Sequence, residues 1–400
     1  MVVLEVLFWI CAALIVWTQV GYALAVAFLA RFVAHASGAS IDRDARTGIP
    51  PSLKVSLIVA AHDEQDVIGA KVQNALELHY PRDLLEVIVV CDGCTDETAL
   101  RARKAGADVV LELPRGGKIV AQDAAVARAQ GAIVAFSDAN ASWKQDALGK
   151  LVEAFEDPRV GYVCGRVRFV QSSHARSEQD ATPPSGAVHA TNQEGVYWRY
   201  EMAVRARESR LSSITAGNGA IYATRRSSYI VVDPIMGHDL SFPFNMVKRG
   251  WRAVEAPDAG AVEKMVPTIE GEWRRKRRMM SHTWPIVIRG GMLSPRGYTL
   301  GYAAMIVSHR LLRYLTPFLH AFAFLANVAL VAGGAGTLYM VTLIVQVAVF
   351  ASAGLGGLVR VRPFLITRYY FLTTLSAAAG LWDWLRHGTA PVWDVAEGTR

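Results

Sequence analysis

Charge is missing from Val6 to Ala30, where 25 consecutive residues include no Asp, Glu, Lys or Arg. Roughly 20 such residues cross a hydrocarbon core as a helix, so this absence predicts a membrane span. Met1 to Glu5 has no basic residue, which argues against a cleaved signal peptide despite the small-residue site Ala34-His35-Ala36. Cysteine is scarce, with four in 400 residues. Cys91 and Cys94 form a lone C-x-x-C, and no further ligand pair stands nearby at the spacing a zinc site uses. All four cysteines therefore read as reduced thiols. Glycine-rich nucleotide motifs are lacking too. No G-x-G-x-x-G follows the first strand candidate, and Gly116-Gly117-Lys118-Ile119 fails as a P-loop because Glu112 and Ile119 stand where Gly and Ser/Thr belong.

What is present is apolar, at 52% of the chain, and unevenly spread. Leu315–Ala335 and Thr337–Val359 flank the turn Gly333-Gly334-Ala335-Gly336 and read as a membrane hairpin. Arg31, Arg310, Arg313, Arg360 and Arg362 edge the three spans and put those edges on the cytoplasmic side, which makes the middle of the chain cytosolic. Tyr369–Trp382 is only 14 apolar residues between Arg368 and Asp383, short for a span and suited to a re-entrant or interfacial helix. The net charge of +7 gathers beside these segments and in the run Arg274–Arg278. Anionic lipid or a diphosphate accounts for it, and no nucleic-acid partner is expected.

Between the membrane segments, Ser37–Ser52 has the composition of a linker. Val55–Ala60, Glu86–Val90, Asp108–Glu112 and Ala132–Ser137 read as strands, with helical spacing at Asp66–Leu78, Asp96–Ala105 and Ile119–Gln130. The alternation predicts an α/β, Rossmann-like domain with a mostly parallel sheet. The expected division is a membrane helix at 1–31, a linker at 32–52 and an α/β domain at 53–272. A basic interfacial segment at 273–314, a membrane hairpin with a short further segment at 315–385, and a tail at 386–400 follow. Ligands of such sheets bind at the carboxyl ends of the strands, where His62-Asp63-Glu64, Asp92-Gly93 and Ser137-Asp138-Ala139-Asn140 fall.

The order of motifs from about Lys54 to Trp284 resembles family 2 of the inverting, GT-A-fold glycosyltransferases, which include cellulose, hyaluronan and poly-N-acetylglucosamine synthases. Val55–Glu64 is similar to the opening strand, Cys91-Asp92-Gly93-Cys94-Thr95-Asp96 to the DDGSTD element, and Gly116-Gly117-Lys118 to the next loop. Ser137–Asn140 takes the D-x-D position, Gly217-Asn218-Gly219-Ala220 the acceptor-side loop, and His238-Asp239 the E-D motif. The resemblance implies a nucleotide-sugar donor, UDP-linked, with Asp63, Glu64, Asp92, Lys118 and Asp138 around it. It implies Mg2+ or Mn2+ at Asp138 and Asn140, although Asn140 replaces the second carboxylate. Asp239 matches the general base that deprotonates the acceptor hydroxyl, and Gly217, Asn218, His238 and Trp284 lie on the acceptor side. The basic run stands where the family has Q-x-x-R-W, so Arg277 and Arg278 are donor candidates, while the same strip suits a helix on anionic lipid. Carboxylates after strands also serve as helix caps, and that reading stays open for Asp63, Asp92 and Asp239.

Gln171–Asn192 reads as a surface insertion or a lid, and Tyr197-Trp198-Arg199-Tyr200-Glu201 as a helix packed near the acceptor or the bilayer. The expected acceptor is lipid-linked or a growing polysaccharide, with membrane lipid as a partner and self-association left open. A catalytically inactive, nucleotide-binding scaffold is the alternative that Asn140 and the missing Q-x-x-R-W permit.

Overall fold

The computed structural model describes residues 1–36, 53–170, 191–264, 269–359 and 361–390. The expected linker, nearly all of the insertion and most of the tail lie outside the described residues. Helices α1 (Val2–Val16) and α2 (Tyr22–Ala36) join through one π-helical turn at Trp17–Gly21. Then β1 (Val55–Ala61), α3 (Ile68–Leu76), β2 (Leu85–Asp92), α4 (Thr98–Lys104), β3 (Val109–Leu113), α5 (Lys118–Arg128) and β4 (Ile133–Asp138) alternate as the apolar runs predict. β1 and β2 are buried along their whole length, because helices cover both faces of a parallel sheet.

The second half of the sheet is mixed. β5 (Ser142–Trp143), α6 (Ala147–Glu153), β6 (Val160–Val170), α7 (Thr191–Leu211), β7 (Ile221–Arg225), α8 (His238–Lys248) and β8 (Arg252–Lys264) follow. The eight strands run in the order β3-β2-β1-β4-β7-β6-β8-β5. β7 lies antiparallel to β4 and β6, whereas β8 runs parallel to β6 and antiparallel to β5. Two apolar layers sandwich the sheet, one around Leu57, Ile133 and Leu148, the other around Ile58, Phe136 and Phe242.

The chain ends in α9 (Ile269–Ile288), α10 (Leu300–Met305), α11 (Leu312–Ala332), α12 (Gly336–Leu355) and α13 (Arg362–His387), with a π-helical turn at Ile306–Leu311 between α10 and α11. Among the described residues three helices are long and apolar enough to cross a membrane: Val2–Phe32, Leu300–Ala332 and Gly336–Leu355. The apolar segment Tyr369–Trp382 is the middle of α13, a helix of 26 residues. It is longer than its apolar run because charged turns at Arg362–Arg368 and Asp383–Arg386 continue the same helix. α13 packs on α9. The Trp284 indole N–H donates to Ala377 O at 2.8 Å, and Arg277 forks both oxygens of Asp383 at 2.6 Å. Gly380 permits the approach, since a Cβ there would stand 2.5 Å from Met280 Cβ.

Candidate active site

Three strand ends meet at one edge of the sheet. After β1, Asp63 adopts φ +48°, and its carboxylate accepts the Thr95 N–H at 2.7 Å from the loop after β2. This brings ligand atoms of His62, Asp63 and Cys94 within 4.8 Å of one another, a neighbourhood that the C-x-x-C spacing alone does not reveal. His62 Nδ1 lies 2.8 Å from Asp92 O.

The Asp92 side chain is 1% exposed. Its carboxylate accepts the Gly116 N–H at 2.6 Å and the Gly117 N–H at 3.0 Å. Gly117 has φ +96°, a region costly for residues with a Cβ. Asp92 therefore shapes the turn that opens α5 and aims its first residue, Lys118. Lys118 pairs with Asp138 at the end of β4. Burial works against the charge on Lys118, but the carboxylates of Asp138, Asp239 and Glu263 outweigh it and hold the ammonium above its ordinary pKa.

A cavity of about 900 Å³ opens at this edge, walled also by α7, α9, α11 and α13. From the sheet edge, Glu64, Lys118, Asp138 and Asn140 line it. From the α7–β7 loop and the start of α8 come Gly217, Asn218, His238 and Asp239, and from α9 comes Arg278. Asp63, Asp92, Arg277 and Trp284 do not line it. Asp63 and Asp92 hold loops, whereas Arg277 and Trp284 hold α9 to α13.

Asp239 sits in the first turn of α8, where the helix dipole favours an anion. Its backbone carbonyl accepts the Gly217 N–H at 2.6 Å, and a Cβ on Gly217 would fall 2.0 Å from the Tyr162 hydroxyl. Only glycine lets that loop close on Asp239 without displacing Tyr162. Burial pushes the Asp239 carboxyl up, against the pull of Lys118. His238 is 3% exposed, stacks on Phe242 at 3.9 Å and contacts the Tyr222 hydroxyl through Nδ1 at 2.8 Å. Burial pushes its pKa down to about 3, with Lys118 adding to the effect, so the ring is neutral. Asn218 staples its own loop, donating to Gly165 O at 2.6 Å and accepting the Ile221 N–H at 3.0 Å.

Sequence reasoning missed two groups. Glu263, at the end of β8 and one residue past the pairing Ser142↔Val262, lines the same cavity as Asp138 and Asn140. Among the described residues no hydrogen bond or ion pair reaches its carboxylate, which burial and then the charge of Asp138 push up to about 7. The second group lies under α7. His309 faces Glu208 at 2.7 Å and Glu201 at 3.2 Å, Arg310 donates to Glu201 at 3.0 Å, and Arg313 pairs with Glu201 as well. Tyr22 of α2 donates to Glu208 at 2.5 Å. Burial alone would raise the Glu201 pKa, but His309, Arg313 and Arg310 hold it well below the usual carboxylate range. Isolated charges scattered over three segments give no motif, and only the fold assembles them.

Residues 56–230 match the model of glycosyl transferase family 2. A β-monoglucosyldiacylglycerol synthase of Synechocystis sp. is 33% identical over 168 residues, covering 40% of this chain and 35% of that protein. Another from Nostoc sp. is 34% identical over 116 residues, covering 27% and 25%. This chain thus matches about a third or less of the length of those relatives. A mannosyltransferase from Pyrobaculum calidifontis, solved in complex with GDP-Man and Mn2+, superposes with a TM-score of 0.64 at 22% identity, over 95% of this chain and 99% of that one. The sheet order, the loops at its carboxyl edge and the matched segment agree: residues 56–230 carry a domain that matches glycosyl transferase family 2, on a GT-A fold.

Proposed function

We propose that the protein is a membrane-bound, inverting glycosyltransferase that moves a sugar from a nucleoside-diphosphate donor, UDP-linked, to a lipid-linked or carbohydrate acceptor at the cytosolic face. One observation carries the reading: a single cavity joins the Lys118–Asp138 pair to Asp239 and to the flank of the membrane helices. In the proposed reaction Asp239 takes the proton of an acceptor hydroxyl. The acceptor oxygen bonds to the anomeric carbon, the bond from that carbon to the diphosphate breaks, and the electron pair leaves with the nucleoside diphosphate. An α-linked donor gives a β-linked product.

Lys118 would neutralise the leaving diphosphate. Asp138, the Asn140 carbonyl and Glu263 offer hard oxygen donors, a set that suits Mg2+ or Mn2+. Glu263 supplies the second carboxylate that Asn140 lacks, and its bare oxygens fit a cation. The bound ion would add positive charge against the diphosphate. No observation favours the inactive-scaffold alternative.

The test is nucleoside-diphosphate release by the purified protein with UDP-, GDP- and TDP-sugars. Metal-dependent turnover of one donor should fall by about 100-fold or more in Asp239→Asn, the scale of a lost general base. Wild-type turnover in a folded Asp239→Asn protein would remove Asp239 from the role.

A further inference from the structure

Arg205 lies on α7, 3% exposed, and lines the cavity. Among the described residues its Nε has no hydrogen-bond partner, and Nη1 reaches only the Cys164 sulfur at 3.9 Å. The carboxylates around it are engaged elsewhere. Glu201 serves His309, Arg310 and Arg313, and one oxygen of Glu255 takes Arg166 at 2.8 Å. The other Glu255 oxygen is buried without a partner, yet no described carboxylate comes within ion-pair distance of Arg205. Burying a guanidinium is costly unless an anion meets it. Glu201 and Glu255 favour the Arg205 charge from further off, but the cavity wall still holds a desolvated guanidinium that no described carboxylate meets in contact.

The cavity also changes character along its walls. Ile286 of α9, Tyr314 of α11, and Ile366 and Tyr370 of α13 line it away from the sheet edge. Ile366 is 48% exposed, on a helix packed against α11 and α12, two of the helices apolar enough to cross a membrane. A wholly water-soluble acceptor has no use for that wall.

We propose that the acceptor is a lipid whose headgroup carries both a phosphate and a hydroxyl, with Arg205 gripping the phosphate, Asp239 receiving the hydroxyl proton and the chains lying along α9, α11 and α13. The assignment rests on the transferase reading of the same cavity. A guanidinium fork matches phosphate in two parallel hydrogen bonds. A bare lipid monophosphate fits less well: it loses its second proton near pH 6, so it offers a general base little to remove. In the proposed step the headgroup hydroxyl oxygen bonds to the anomeric carbon, its proton passes to Asp239, the nucleoside diphosphate departs, and the lipid phosphodiester stays intact.

The experiment measures equilibrium binding of labelled phosphatidylglycerol to the full-length protein in a neutral detergent. Competitors are diacylglycerol with the same chains, phosphatidate and glycerol 3-phosphate, and nucleoside-diphosphate binding is measured in parallel. Wild type should bind phosphatidylglycerol at least about tenfold more tightly than diacylglycerol or glycerol 3-phosphate, and Arg205→Gln should erase the preference over diacylglycerol. Arg205→Lys should recover part of it, and nucleotide affinity should stay unchanged in both variants. Asp239→Asn should bind the lipid like wild type even with transfer abolished, which separates failure of lipid recognition from failure of the transferase reading. With phosphatidate in place of glycerol 3-phosphate, binding should persist without turnover. Equal binding of diacylglycerol, equal binding of glycerol 3-phosphate, or an Arg205→Gln protein that still prefers phosphatidylglycerol would overturn the proposal. Should Arg205→Gln not fold, Ile366→Trp provides the second arm. It should weaken phosphatidylglycerol and spare glycerol 3-phosphate, and unchanged lipid binding there counts against the chain path.

Discussion

At the scale of single residues, the Asp92 carboxylate uses its acceptor capacity on the amides of Gly116 and Gly117 and so acts on Lys118 from behind. Asp92→Asn keeps the shape but loses the charge and one acceptor. The expected cost is about 1–3 kcal/mol, read as a lower Tm, together with a raised donor KM because Lys118 is no longer aimed. Equal donor KM in the variant would confine Asp92 to stability. Glu263 gives a second prediction. If it completes the oxygen set of Asp138 and Asn140, Glu263→Gln should raise the Mn2+ concentration needed for half-maximal nucleotide binding by about tenfold, and an unchanged metal requirement removes it from the set. Asp138, Asn140, Lys118 and Asp239 were legible because they stand at strand ends or helix starts inside ordered motifs. Glu263 and Arg205 were not, since a lone charge on a strand or helix looks like solvated surface until the fold buries it.

At the scale of elements, the parallel half of the sheet could be read from the chain because each buried strand is an unbroken apolar run followed by its own covering helix. β6 and β8 hide the same role. Arg166 and Arg168 interrupt β6, and Glu255, Pro257, Asp258 and Glu263 interrupt β8, so their pairing depends on long-range neighbours that no local period encodes. α13 was underestimated for a related reason: hydropathy ends where charge begins, but a helix does not. Its contact with α9 is close enough to test. Gly380→Leu must move Met280 and Ser281, which should cost about 1–3 kcal/mol as an overpacked contact and part α13 from α9. Nucleotide binding should survive while transfer falls; if both persist at wild-type levels, the α9–α13 contact does not shape the acceptor wall.

At the scale of the molecule, the two π-helical turns at Trp17–Gly21 and Ile306–Leu311 touch each other and flank the buried charges that bind the long apolar helices to α7. Tyr22 follows the first turn, and His309 and Arg310 lie in the second. Such turns are rare and often mark functional positions. Arg310→Met removes one of three cations around Glu201 and the guanidinium donor to Thr215, while His309 and Arg313 still meet Glu201, so the expected loss is about 1–3 kcal/mol. Thermal unfolding in detergent measures it, and a Tm within a degree of wild type would show that the cluster bears no mechanical connection between the two parts. The helices apolar enough to cross a membrane were visible from the missing charge, whereas this connection was not, because its members come from four separate segments.

Under the proposed reading, a cavity walled on one side by a sheet edge and on another by helices apolar enough to cross a membrane draws its two substrates from different phases. On that reading the nucleotide sugar arrives by diffusion in three dimensions and the lipid by diffusion in two. Saturation by the acceptor should then follow its mole fraction in the bilayer rather than its amount per volume. Diluting it with inert lipid at constant total acceptor would slow the enzyme, and adding more vesicles of the same composition would leave each molecule's rate unchanged.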